Sequence, residues 1–229
     1  MAVSSIHGVS ASVGLKAALK SAVPRCLFVR RLRRDAGKRV LLTFDDGPNP
    51  EVTTRVLDRL EVHDAKAVFF VIGRHARRAP HLVREIVRRG HIVGNHSHLH
   101  QDDYVLGGPK LTLPRYYLDC RRCQIVVRRS MDSAPRFFRP PGGRISTVTL
   151  LVPWLLRLRV VGWSAEVADW RFRTDLEARE GAARLLAEVR ARDIVLLHDN
   201  NPSVLPLLDL LLPGLRERGY DLSSSCAFI

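Results

Sequence analysis

Two neighbouring carboxylates, Asp45 and Asp46, sit where the apolar run at residues 39–44 meets the turn Gly47-Pro48. Adjacent carboxylates repel, and burying both is costly unless a cation or a proton lies between them. Successive side chains leave a strand in opposite directions, so one carboxylate can face a metal and the other the water to be activated. A bare Asp-Asp-Gly reads as a solvated turn. A second cluster, His96-Ser97-His98-Leu99-His100, changes that reading. His at i and i+4 share one face of a helical turn, a two-toothed grip on a divalent ion. With Asp46 they make a two-imidazole, one-carboxylate set with open positions for water and substrate.

The elements that must position these residues follow from periodicity and punctuation. Strands are expected at 39–44, 66–72, 92–93, 136–139, 159–163, 194–197 and 220–224. Helices are expected at 51–63, 80–90, 113–131, 146–156, 174–191 and 203–218. Pro80 opens one of them, and Thr174-Asp175-Leu176-Glu177 is a capping-box pattern opening another. Residues 101–112 read as a polar loop, and Gly73 as the stop of the strand before it. Alternating strand and helix predicts an α/β fold with a mostly parallel sheet. Asp45, Asp46, His96, Arg139, Glu166 or Asp169, and His198 all follow the C-terminal ends of strands, the face on which such folds gather active sites.

At 229 residues and 46% hydrophobic content the chain suffices for one full-sized domain. The division expected is a basic lead-in at 1–38 and a catalytic domain at 39–229. No apolar run reaches the ~18–20 residues of a membrane span. The net charge of +14 is carried mainly by arginine and is read as solvated helix faces, with no nucleic-acid partner, since no stacking-aromatic motif accompanies it. Residues 1–34 lack acidic residues, and their charge follows rather than precedes the apolar stretch, unlike a secretory signal. Leu15, Ala18, Leu19 and Val23 could share one helical face, so this stretch is expected to pack on the domain, touch a membrane surface or serve as a transit peptide. The expected location is cytoplasmic or membrane-surface associated. Cys120-Arg-Arg-Cys123 lies mid-helix without a second pair, so free thiols rather than zinc or redox chemistry are expected of it, with Cys26 and Cys226 apart.

Five segments together resemble the NodB-homology polysaccharide deacetylases, carbohydrate esterase family 4. Thr43 to Pro48 is similar to the family's first motif and His96 to His100 to its H-S/T-x-x-H metal motif. Arg139-Pro140-Pro141, Glu166 to Trp170 and Leu196 to Asp199 are similar to the third, fourth and fifth. The resemblance implies a distorted (β/α) barrel that removes acetyl groups, usually N-linked, from GlcNAc-containing glycans. It implies one divalent metal on Asp46, His96 and His100, usually Zn2+, with Co2+ or another divalent ion as substitutes. Asp45 would be the general base and His198 the general acid. Arg139 would orient Asp45 and be tethered in turn by an acidic residue of the fourth motif, most simply Asp169. Gly142, following Pro141, would supply an oxyanion N–H, and Trp170 and Leu196 would contact the acetyl methyl. Two departures stand out: Gly142 where the family usually has an aromatic residue, and Glu166 where Asp is common. They leave open a glycan-binding relative that no longer turns over. The ligand types alone also suit a non-haem iron oxygenase. The substrate class expected is a small N-acetylated oligosaccharide, a polysaccharide or a lipid-linked precursor. Oligomeric state is not legible.

Overall fold

The computed structural model describes residues 28–101, 104, 108, 111–131, 133–223 and 229. Among them a seven-stranded, all-parallel sheet runs through β1 (Phe28–Val29), β2 (Leu41–Asp45), β3 (Ala67–Val71), β4 (Ile92–Asn95), β5 (Phe137–Phe138), β6 (Arg159–Val161) and β7 (Ile194–His198). Their order is β1-β6-β5-β4-β3-β2-β7. The intervening helices are α1 (Thr53–Val62), α2 (Gly73–Arg78), α3 (Pro80–Arg88), α4 (Leu113–Met131), α5 (Thr147–Leu155), α6 (Asp175–Glu188) and α7 (Val204–Glu217).

The sheet curls. Beyond β6, Ala165 bridges in parallel to Val195 of β7, and the Ser164 N–H donates to the Ile194 carbonyl at 2.9 Å. Beyond β1, the Leu32 N–H donates to the Arg192 carbonyl at 2.9 Å. The two sides of the sheet therefore meet, and the result is a distorted (β/α) barrel with its helices outside.

Side-chain alternation sorts the strands into two faces. Val40, Leu42, Phe44, Phe69, Val71 and Leu197 point outward into the main core beneath the helices. Leu41, Val68, Phe70, Val161 and Ile194 point inward and fill the barrel. Continuing the inward rows to the strand ends gives Asp45 on β2, His96 after β4, Arg139 after β5, Trp163 after β6 and His198 on β7. Register sharpens this, because Asp45 and His198 are direct partners across β2 and β7.

Most element boundaries expected from the sequence hold within a few residues, and α4 spans the full 113–131. Three differ. Residues 28–29, assigned to the lead-in, form β1 against Val160 and Val161, a pairing too short to leave a periodicity. Gly73 opens α2 rather than merely ending β3. A Cβ there would lie 2.4 Å from the His98 ring and 2.9 Å from the Cys123 backbone, so only glycine lets α2 approach this closely. The final strand reduces to a bridge between Arg39 and Asp221. The lead-in helix and most of the 101–112 loop lie outside the described residues.

Candidate active site

Alternation alone would send Asp45 and Asp46 to opposite faces. It fails because Asp46 has φ of 73°, a left-handed conformation that Asp tolerates better than most residues. Both carboxylates therefore enter one cavity of about 530 Å3 at the C-terminal end of the sheet. His96, His100 and His198 share it, with Leu196, Trp163, Trp170 and the Gly142-Gly143 turn as further walls.

Asp46 Oδ1 lies 3.5 Å from His96 Nε2 and 3.4 Å from His100 Nε2. Two ligands about 2.1 Å from a tetrahedral ion stand about 3.4 Å apart, so this spacing fits a shared cation. Asp46 Oδ1 is buried without a hydrogen-bond partner, which in a protein interior calls for a cation. His96 Nδ1–H donates to the Arg139 carbonyl at 2.7 Å, leaving the Nε2 lone pair toward the cavity. Asn200 Nδ2–H donates to the other oxygen of Asp46 at 3.1 Å.

The electrostatics agree. Burial alone would raise Asp46, but the adjacent His96 ring, with His100 and His198 beyond, holds it well below the usual carboxylate range. Burial pulls His96 down, yet Asp45 and Asp46 raise it overall. His100 is lowered by burial and by the neighbouring His96. Asp46 is thus ionised with one oxygen unpartnered, and a divalent cation would satisfy it. The residues fit the group.

The helical turn expected over 96–100 is absent. Ser97 and His100 have φ of 64° and 50°, and the segment is an open loop after β4. Ser97 Oγ accepts from the His100 N–H at 3.1 Å, and Asp119 Oδ2 accepts from the His98 N–H at 2.9 Å. Asp119 belongs to α4, 21 residues downstream of His98, so no local spacing announces its part.

Arg139 is fully buried. Its Nη1 donates to Asp45 Oδ1 and to Thr43 Oγ1, both at 2.8 Å. Its other nitrogens donate to the carbonyls of Val161 and Gly162, and the guanidinium lies over the rings of Phe70, 4.2 Å away, and Trp163, 5.6 Å away. The expected tether from Asp169 to Arg139 does not form. Asp169 opens a 3-10 turn packed beside β7, and its carboxylate instead accepts from His198 Nδ1–H at 2.9 Å and the His198 backbone N–H at 2.8 Å. Glu166 is exposed. Arg139→Met leaves Asp45 buried without its guanidinium, at a cost of about 3–5 kcal/mol, so Tm falls by roughly 6–20 °C in a thermal melt.

Burial pulls His198 down, but the hydrogen bond and charge of Asp169, then Asp45 and Asp46, raise it to about 9. Trp170 stands edge-on to the His198 ring with centroids 4.9 Å apart. Leu196 lines the cavity, whereas Pro141 is buried behind its wall and takes no part in the lining. Gly142 and Gly143 have φ of 59° and 62°. A Cβ on Gly143 would fall 2.1 Å from the Trp163 ring, so the indole lies directly against this turn. Gly142 is exposed to the cavity, and its N–H donates to no atom of the described residues. Sequence reasoning assigned no role to Trp163, Thr43, Asn200 or Asp119. Only Thr43 carried a signal, sharing the parity of Asp45 on β2.

Cys120 and Cys123 are buried free thiols, as expected of the pair, with burial pushing Cys123 up to about 12; Cys26 and Cys226 lie outside the described residues. Among the described residues no helix is long and apolar enough to cross a membrane.

Comparison with known proteins gives these features a common context. The polysaccharide deacetylase family profile matches residues 33–161. A chitooligosaccharide deacetylase of Sinorhizobium fredii is 35% identical over 198 residues, 81% of this chain and 89% of the relative. A peptidoglycan-N-acetylglucosamine deacetylase of Bacillus cereus is 30% identical over 79% of this chain, which spans 64% of that longer relative. The solved polysaccharide deacetylase Bc1974 of Bacillus cereus superposes with a TM-score of 0.71 at 30% identity, covering 82% of this chain and 91% of that one. With the barrel, the cavity and the ordered motifs on one chain, the protein belongs to the polysaccharide deacetylase family.

Proposed function

We propose that this protein hydrolyses the acetamido group of N-acetylated amino sugars in oligo- or polysaccharides, releasing acetate and a free amine. One observation carries the reading: the orphaned Asp46 oxygen faces two Nε2 atoms in a cavity flanked by the Arg139–Asp45 and Asp169–His198 pairs. The chitooligosaccharide and peptidoglycan deacetylases among its relatives support the substrate class.

Asp46, His96 and His100 hold one divalent cation, taken as Zn2+ because imidazole and carboxylate suit it. Such a cation, when bound, acidifies water and polarises the acyl oxygen. Asp45, held in place by Arg139, accepts the proton of the attacking water. The free Gly142 N–H donates to the oxygen that gains charge as the carbonyl becomes tetrahedral, a contribution of ~2.7–4 kcal/mol for one such donor. An amine leaves poorly as an anion, so His198 gives its Nε2 proton to the nitrogen as the C–N bond breaks. Asp169 keeps Nδ1 engaged, which leaves that Nε2–H for the cavity. Leu196 and Trp170 contact the acetyl methyl. An iron oxygenase would leave both charged pairs without a task. A cytoplasmic location goes with this reading, supported by the free thiols Cys120 and Cys123; recovery in an extracellular fraction would count against it.

The test is acetate release from N-acetylated chitooligosaccharides. Release should fall by about 100-fold or more on chelation, given the several kcal/mol a cation supplies, and return on adding Zn2+. Glycan binding without release from any N-acetylated glycan, at full metal occupancy, would overturn the hydrolytic reading.

A further inference from the structure

The end of the barrel opposite the cavity has an unusual surface. α5 runs back from the site, and its last turn exposes Trp154 at 63% and Leu155 at 47%. Exposed Trp and Leu side by side lose their contact with water only against an apolar partner. Around them the charge is one-sided. Between Asp119 and Glu166 the chain carries nine arginines and a single acidic residue, Asp132.

Local hydrogen bonds bring these features together. The Arg157 N–H donates to the Trp154 carbonyl at 3.0 Å, and the Arg159 N–H to the Arg136 carbonyl at 2.9 Å. Gln124 of α4 donates to the Leu156 carbonyl at 3.4 Å, which sets Arg121 and Arg128, one helical turn to either side of Gln124, beside the end of α5. These five arginines are exposed, and none forms an ion pair among the described residues. Some arginines elsewhere are neutralised, as Arg59 is by Asp209, Arg89 by Asp58, Glu61 and Glu85, and Arg39 by Asp221, but acidic partners of this kind are missing around Trp154 and Leu155 among the described residues.

We infer that this end of the molecule docks on an anionic lipid bilayer, with Trp154 and Leu155 entering the headgroup boundary and the surrounding arginines facing lipid phosphates. Trp sits favourably at a membrane interface, and each arginine near an anionic surface strengthens binding about fivefold. A polyanion in solution would satisfy the arginines but gives the indole and the leucine nothing apolar to enter. Docked this way, the cavity at the C-terminal strand ends faces away from the bilayer, toward glycans above its surface.

The experiment is co-sedimentation of the full chain with phosphatidylglycerol and phosphatidylcholine vesicles. Binding to the anionic vesicles only is expected, weakening as salt shortens the Debye length. The double substitution Trp154→Ser, Leu155→Ser should lower it about tenfold or more, and Arg157→Glu, Arg159→Glu by a similar factor, with deacetylation of a soluble substrate unchanged as the control for folding. Absence of binding, or binding indifferent to both double substitutions, overturns the inference. So does binding that depends on the arginines alone and is matched by soluble polyphosphate, which would identify a polyanion surface instead.

Discussion

Asp46→Ala is expected to lose its cation and its activity together. With Asp46 gone, His96 and His100 are two neutral ligands from one loop, and two imidazoles without a carboxylate hold a divalent ion weakly. The loss of several kcal/mol of barrier lowering corresponds to a fall in kcat/KM of about 10^3-fold or more. Elemental analysis of dialysed protein should show one ion per chain for the parent and close to none for the variant. Asp45→Asn provides the contrast. Asp45 is bonded to Arg139 and stands outside the cation set, so this variant should keep its ion while losing about 10^2–10^4-fold in rate as a missing proton acceptor. An Asp46→Ala protein that retained a full equivalent of metal and activity within tenfold of the parent would remove the proposed ligand set.

Asp169→Asn is expected to act through His198 and to show itself in a pH profile. In the parent, His198 is raised to about 9, so the imidazolium is available as an acid at neutral pH and is lost as pH rises through about 9. Asparagine removes the charge and weakens the hydrogen bond, burial then dominates, and the imidazole falls toward or below its ordinary 6.5. At pH 7.5 kcat/KM should drop by about 10^2-fold or more, and the alkaline limb should move to lower pH by about two units. The same linkage sets stability. A folded-state value above the unfolded one contributes stability fully present below about 6.5 and lost as pH rises from there through about 9. Parental Tm should decline across that window, whereas the variant should stay flatter. Superimposable rate profiles would show that Asp169 does not govern His198.

The two predictions separate the halves of the site. One follows an ion held by three side chains at the ends of β2 and β4. The other follows a proton held between the end of β7 and the turn after β6. Arg139, just after β5, ties the ion's half to the base instead, since its carbonyl fixes His96 while its guanidinium fixes Asp45.

Much of this was legible before any coordinates. The alternation of Leu41, Thr43 and Asp45 against Val40, Leu42 and Phe44 assigns the faces of β2, because a side-chain period of two depends only on the strand itself. The capping box at Thr174, and Pro80 at a helix start, mark boundaries through contacts within four residues. Polar residues at the ends of successive apolar runs likewise foretell a site, since parallel strands all end on one side. What the tertiary structure alone decided were the partnerships. Arg139 and Asp45 are 94 residues apart, and Asp169 and His198 are 29 apart; which carboxylate serves which cation depends on strand order and register, to which local propensity is blind. The left-handed turns at Asp46, Ser97 and His100 belong to the same class. A conformation costing about 1–3 kcal/mol is adopted only where the surrounding fold compensates it, so no window of neighbouring residues could announce it.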